Sequence, residues 1–323
     1  MKKNIALILI LCVLICTFIG CGEKAEQVQP TTQPVQTTTE AVATEPYDPL
    51  EGNKTLRVLA IGNSFSSDTT HFLEDIARAE GFENIWVGNL YISGCKLDQH
   101  ATNASQNAMS YKYYTNFDGT WTTIESCNIQ YALQQVEWDY ITMQQGSTYS
   151  GLPDSYEPHL TQLIEYVNNN KRNPQAHLAW NMTWAYQSDF QKIDMFSKYD
   201  LDQMKMYNAI LDTVQQKVVP HEEFSYIIPV GTAIQNARTS YFGDTLTRDG
   251  YHLSELGRVI ASYTWLATFM EQPLEEINFT KVSDTLTLTA EDKLVIIEAV
   301  SNALENPYAV TQSVYTTAPA NGG

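Results

Sequence analysis

The chain has 323 residues, with 19 basic side chains against 37 acidic ones and a formal net charge of −18 at pH 7. So acidic a surface is a poor partner for a nucleic-acid backbone or an anionic lipid sheet. The 43% hydrophobic content is enough for one large core or two modest ones, and no Cys-x-x-Cys or His-x-x-x-His spacing suggests a metal such as zinc.

The chain starts with Met1-Lys2-Lys3, continues as an apolar run over 5–19, and reaches Phe18-Ile19-Gly20-Cys21, which resembles a lipoprotein cleavage box. The run is short for a spanning helix, so the expectation is cleavage before Cys21 and lipid on its sulfur, with a plain membrane anchor as the alternative. Contact with the membrane would then be through the anchor alone. Removing the leader takes two lysines and no acid, together with Cys12 and Cys16. Cys95 and Cys127 remain in the folded part, either joined in an oxidising compartment or buried as two thiols. Residues 22–52 are rich in Thr, Gln, Pro and Glu and read as a disordered tether reaching roughly 30 Å. The expected plan is a leader over 1–21, the tether over 22–52, a domain over 53–272, a packed strand and helix over 273–310 and a disordered tail over 311–323.

Within the domain, Leu56-Arg57-Val58-Leu59-Ala60-Ile61 reads as a buried strand that breaks at Gly62-Asn63 and leaves Ser64 at its carboxyl end, where open α/β sheets keep their ligand sites. Ser67-Asp68-Thr69-Thr70 supplies N-cap chemistry for a helix through Phe72, Leu73, Ile76 and Ala77. A strand over 85–92 delivers Gly94, and an Asp118-Gly119 turn makes 111–121 a hairpin. Helices over 129–136, 159–167 and 202–218 alternate with strands over 139–144, 176–182 and 226–230, and a helix over 254–270 closes the set. Such alternation predicts an α/β fold, a single-domain three-layer α/β/α sandwich with a parallel sheet of the flavodoxin kind. A short strand over 285–288 follows, then a helix capped at Thr289-Ala290-Glu291-Asp292 with an apolar stripe of Leu294, Ile297, Val300 and Leu304.

The second chemical signal is Asp249-Gly250-Tyr251-His252. An aspartate three residues ahead of a histidine can hold its Nδ1–H and leave Nε2 free as a base, and with Ser64 it completes what acyl transfer needs. These segments resemble the SGNH or GDSL-type serine hydrolases. Ile61-Gly62-Asn63-Ser64-Phe65-Ser66 is similar to that family's first block, Ile92-Ser93-Gly94-Cys95 to its second, Trp138 through Ser147 to its third and Asp249-Gly250-Tyr251-His252 to its last. The likeness covers 54–272.

The resemblance implies Ser64, Asp249 and His252 as the catalytic set, with no metal and no cofactor. It also implies an oxyanion hole of the Ser64 and Gly94 N–H groups plus a side-chain amide. Where the family shows Gly-x-Asn this chain has Gln144-Gln145-Gly146-Ser147, and Gln145 is favoured over Gln144 for that amide. Asn63 and Trp184 are candidate substrate contacts, the aromatic run Trp180 to Tyr186 serving either to stack on a sugar or to fill core. His71 is the rival base, while His100, His159, His177 and His221 read as structural. Arg238 and Arg248 would meet an anionic substrate group or, for Arg248 beside Asp249, form an ion pair. The expected protein is an extracytoplasmic, lipid-anchored serine esterase that removes acetyl or other small acyl groups from carbohydrate through an acyl-enzyme. Two other readings stay open, a carbohydrate-binding surface lipoprotein without activity and an O-acyltransferase with the same triad.

Overall fold

Leu56, Val58, Leu59, Ala60 and Ile61 are all completely or almost completely buried, so the first strand, β1 (Thr55–Gly62), is covered on both faces. A run apolar on both faces is what a central parallel strand requires. The computed structural model describes residues 54–272 and 274–318. The leader, Cys21, the tether and residues 319–323 lie outside the described residues.

β1 pairs in parallel with β2 (Asn84–Tyr91) on one side and β5 (Tyr140–Met143) on the other. β3 (Tyr111–Phe117) and β4 (Thr120–Cys127) form the expected hairpin, and β6 (His177–Asn181) and β7 (Phe224–Ile228) extend the parallel part. The seven strands run β4-β3-β2-β1-β5-β6-β7. The fold is thus the α/β arrangement expected, its parallel part extended by an antiparallel hairpin beyond β2. Asp118 and Gly119 both have positive φ, as the tight hairpin turn demands, and Asp118 Oδ1 accepts the Ile85 N–H at 3.1 Å to fasten the turn to β2. The switch in strand order falls between β1 and β5, so the crevice beyond their carboxyl ends is flanked by the residues after β1, β2 and β5.

The helices are α1 (Ser64–Thr70), α2 (Leu73–Ala79), α3 (Leu97–Gln106), α4 (Ile129–Gln135), α5 (His159–Asn170), α6 (Ile193–Phe196), α7 (Gln203–Lys217), α8 (Val230–Arg238), α9 (Glu255–Met270) and α10 (Ala290–Glu305). Helices α1, α2, α8, α9 and α10 pack with one another, and α3, α4 and α5 make a second group.

Several local expectations shift. The first helix starts at Ser64, three residues early, because Asn63 Oδ1 accepts the Phe65 N–H at 2.9 Å and acts as the cap in place of the Ser67 cluster. Residues 97–106 form a helix where none was expected. The strand expected over 226–230 ends at Ile228, and Pro229 turns the chain into α8. Residues 285–288 make only a bridge between Lys281 and Thr287. Thr289 and Asp292 do form a reciprocal capping box, but α10 buries Val295, Ile296, Ala299, Val300 and Ala303, whereas Leu294 is exposed. The described part of the tail, 311–318, is pinned where disorder was expected: Thr311 N donates to Asn236 Oδ1 at 2.8 Å, and Tyr241 N to Tyr315 O at 2.9 Å. Cys95 and Cys127 are two separate buried thiols, pushed by burial to about 12 and about 11.

Candidate active site

Ser64 follows β1 after a single residue, Asn63, and opens α1, and the turn that presents it is tightly determined. A Cβ on Gly62 would come within 2.5 Å of Ser66 Oγ, so only glycine lets the helix fold back so closely. Ser66 Oγ lies 2.8 Å from both Asn63 O and Asn89 Oδ1, tying the turn to β2. The Ser64 hydroxyl has no hydrogen bond to another described residue, and its N–H is that of a first helical residue, which has no partner within the helix.

The histidine comes from the loop between α8 and α9. Arg248 N donates to His252 O and Ser254 N to Leu246 O, each at 2.9 Å, which draws residues 246–254 into a tight loop. His252 Nδ1 lies 2.7 Å from Asp249 Oδ2, while Asp249 Oδ1 accepts the His252 N–H at 2.8 Å and the Tyr251 N–H at 3.3 Å. Burial works against the Asp249 charge, but these hydrogen bonds outweigh it and hold the carboxyl below its usual range. Beneath the imidazole, Phe65 stacks on Trp184 with ring centroids 4.1 Å apart and meets His252 edge-on at 6.1 Å.

What joins the two pieces is Asp68, one helical turn after Ser64 and almost fully buried. Its Oδ2 accepts the Leu253 N–H at 2.9 Å, and its Oδ1 takes Arg248 Nη1 at 2.9 Å and Arg258 Nε at 2.8 Å. Arg248 therefore pairs with Asp68 rather than with its neighbour Asp249. It also donates to Leu253 O.

Ser64 and His252 together line two clefts. The smaller, of about 220 Å³, also holds Ser93, Gly94, Gly146, Ser147 and Thr148. Gly94 has φ +61 and its N–H has no partner among the described residues, leaving it directed by a backbone shape that glycine adopts freely. The larger cleft, of about 510 Å³, runs past Tyr91 of β2 and Tyr114 and Trp121 of the hairpin to Arg248 and Arg258.

Several residues expected at this site are committed elsewhere. Gln145 does not offer an amide to the cleft: its Oε1 accepts the Leu97 and Gly146 N–H groups, and its Nε2 donates to Ser155 O and Oγ. Gln144 is equally committed, between Asn63 Oδ1 and Asn181 Nδ2. Trp184 is completely buried, with Nε1 on Tyr251 O at 2.7 Å, and supports the histidine loop as core. Asn63 touches the small cleft, yet its amide caps α1, accepts from Gln144 and donates to Cys95 O, so it braces the site. Arg238 is buried against Asp244 and Ala185 O, away from both clefts. His71 does line the larger cleft, but among the described residues no carboxylate hydrogen-bonds its ring. Among the described residues, no group of three or more His, Cys, Asp or Glu side chains is disposed to hold a metal ion.

Residues 57–292 match the family described as Domain of unknown function (DUF4886). A crystal structure of a DUF4886 family protein from Bacteroides uniformis is 37% identical, with a TM-score of 0.76, and the match covers 81% of this chain and 100% of that one. This chain belongs to the DUF4886 family. No curated protein matches it in sequence. The distant structural neighbours of this DUF4886 protein include a putative SGNH hydrolase from Slackia heliotrinireducens, 20% identical over 66% of this chain and 98% of that one. They also include Axe2, an acetylxylan esterase from Geobacillus stearothermophilus, 13% identical over 66% of this chain and 93% of that one. Each has a TM-score of 0.44, a likeness that carries no argument about what a DUF4886 protein acts on.

Sequence reasoning missed three parts of the candidate site, namely Asp68, Arg258 and the aromatic wall of Tyr91, Tyr114 and Trp121. Asp68 had a signal, since a residue four positions after Ser64 shares its helix face. Trp121 had none, because its place depends on β3 and β4 joining the sheet beside β2.

Proposed function

We propose that this protein is a serine esterase, lipid-anchored through Cys21 outside the cytoplasm, that removes a small acyl group from a carbohydrate ester. The observation that carries the reading is the Asp249–His252 contact at 2.7 Å on a histidine that lines both clefts beside the unbonded Ser64 hydroxyl. Asp249 fixes the tautomer with hydrogen on Nδ1, so Nε2 can accept the serine proton as Oγ attacks the ester carbonyl. The negative oxygen that forms meets the Ser64 and Gly94 N–H groups, which are fixed by backbone and need no reorganisation. When the carbon–oxygen bond to the alcohol breaks, His252 returns the proton to the leaving oxygen. Water then repeats the sequence on the acyl-serine, yielding the acid and free Ser64. The cleft of about 220 Å³ beside Gly94 suits a short acyl chain, and the larger one suits the alcohol.

One observation favours a second reading, a carbohydrate-binding lipoprotein without activity: both glutamines are committed to other bonds, so the third oxyanion donor is missing from its family position. Turnover of p-nitrophenyl acetate by the wild type and its loss in Ser64→Ala separates the two. An acyl adduct on Ser64 seen by mass spectrometry after substrate quench confirms the covalent step. Equal turnover by both proteins removes the esterase reading.

A further inference from the structure

The larger cleft is cationic in a strongly acidic protein. Two guanidinium groups, Arg248 and Arg258, share one carboxylate, Asp68, whose oxygens are already filled by those arginines and the Leu253 N–H. The other nearby acids do not line the cleft: Glu255 accepts from Ser283 Oγ at 2.9 Å, and Asp249 is turned to His252 Nδ1 at 2.7 Å. The arginine side chains differ in access, Arg248 being 41% exposed and Arg258 20%. Nη1 of Arg248 makes all of its hydrogen bonds among the described residues, to Asp68 and to Leu253 O, which leaves the Nε and Nη2 edge without a partner there. That edge presents two parallel N–H groups, the geometry that receives a carboxylate or phosphate through two bonds at once. His71, in the same cleft, responds to this environment: burial first and Arg258 next lower its imidazole to about 4, so it adds no charge at neutral pH. Tyr91, Tyr114 and the exposed Trp121 form the facing wall, rings on which a sugar can lie.

Resting on Ser64 as the nucleophile, we propose that the alcohol released from the larger cleft is an anionic sugar, whose carboxylate or phosphate is held by the free edge of Arg248 while its ring lies against the Trp121 and Tyr114 wall. Arg258 backs Arg248 by keeping Asp68 occupied, so the free edge of Arg248 stays available to the ligand. This makes Arg248 a specificity residue for the alcohol, distinct from the groups that handle the acyl carbon.

The test compares the wild type on three acetylated sugars: an O-acetyl uronic acid, its methyl ester and an O-acetyl sugar phosphate. Charge-assisted bonds to an accessible arginine should raise kcat/KM for an anionic ester about tenfold over the methyl ester, mainly through KM, and added salt should erode the difference. Preference for the uronate alone identifies a carboxylate subsite, and preference for the phosphate alone identifies a phosphate subsite. In Arg248→Gln and Arg248→Lys the ratio of charged to neutral substrate, whatever the absolute rate, should fall toward one in the first and be partly kept in the second. A wild-type ratio at or below one overturns the anionic subsite while leaving the esterase intact, provided p-nitrophenyl acetate is still cleaved. If no ester is cleaved, the Ser64 reading fails instead. Titration of glucuronate against glucose then tests the Arg248 edge alone, and equal binding of the two overturns it.

Discussion

Asp68 Oδ2 accepts the Leu253 N–H at 2.9 Å across 185 residues of chain, so the helix that carries the serine and the loop that carries the histidine are held by one buried carboxylate. Removing its side chain leaves Arg248, Arg258 and a buried N–H without their partner. Asp68→Ala should cost about 1–3 kcal/mol, mostly from the stranded Leu253 N–H, because Arg248 and Arg258 keep access to water on the cleft side. Asp68→Asn, which keeps an acceptor oxygen, should lose less stability and show its damage in kcat, because the loop is held but less firmly. Thermal unfolding together with p-nitrophenyl acetate kinetics checks both, and an Asp68→Ala protein as stable and active as wild type would contradict the bridging role.

Gln145 offers a clean separation of scaffold from chemistry. Four hydrogen bonds hold its amide, and Gln145→Ala strands the Leu97 and Gly146 N–H groups, at about 1–3 kcal/mol for each buried group left unpaired. The folded variant should nevertheless turn over substrate within a few-fold of wild type. A loss of about 10²–10³ in kcat at unchanged stability is the signature of an oxyanion donor and would restore Gln145 to that role.

Asp249→Asn keeps an oxygen for the Tyr251 and His252 N–H groups but turns an NH₂ toward His252 Nδ1. The imidazole then carries its hydrogen on Nε2 and cannot take the serine proton. The expected loss is about 10³–10⁴ in kcat with little change in fold, read from steady-state rates beside a circular dichroism spectrum.

His100 is completely buried with Nδ1 2.8 Å from Tyr111 Oη, and burial lowers its imidazole from 6.5 to about 4. Between those pH values the unfolded chain takes up a proton that the folded chain refuses, so stability falls on acidification by up to about 1.4 kcal/mol per pH unit. His100→Gln removes that contribution. Urea unfolding from pH 7.5 to 4.5 should show a shallower decline in the variant, and parallel curves would assign the acid sensitivity elsewhere.

How much of this was readable in the amino-acid order follows from the range of each interaction. The Leu56 to Ile61 run, the Gly62-Asn63 break and the Asp249–His252 spacing are local patterns, and each lies where its residues indicated. Asn63 was legible as a turn residue, though its capping of α1 required knowing that the helix begins at once. Helix α3 was hidden because Thr102, Asn103, Ser105 and Gln106 dilute its apolar face of Leu97, Ala101 and Ala104. In α10 the consecutive Leu294, Val295, Ile296 and Ile297 make several stripes plausible, and contact with α8 and α9 selects one. The destinations of Gln145, Trp184 and Arg238 depend on partners 48, 67 and 53 residues away, beyond any periodicity.

The matched family segment stops at residue 292, in the first turn of α10, yet the chain beyond it is woven into the scaffold behind the histidine. Asn236 donates to Ala299 O at 3.2 Å, Thr232 to Pro307 O at 2.6 Å, and Asn236 in turn receives Thr311 N. A protein trimmed to the family boundary would bare the sides of α8 and α9 that Val295, Ile296 and Val300 now shield. It should express as aggregate, where the full chain stays in solution.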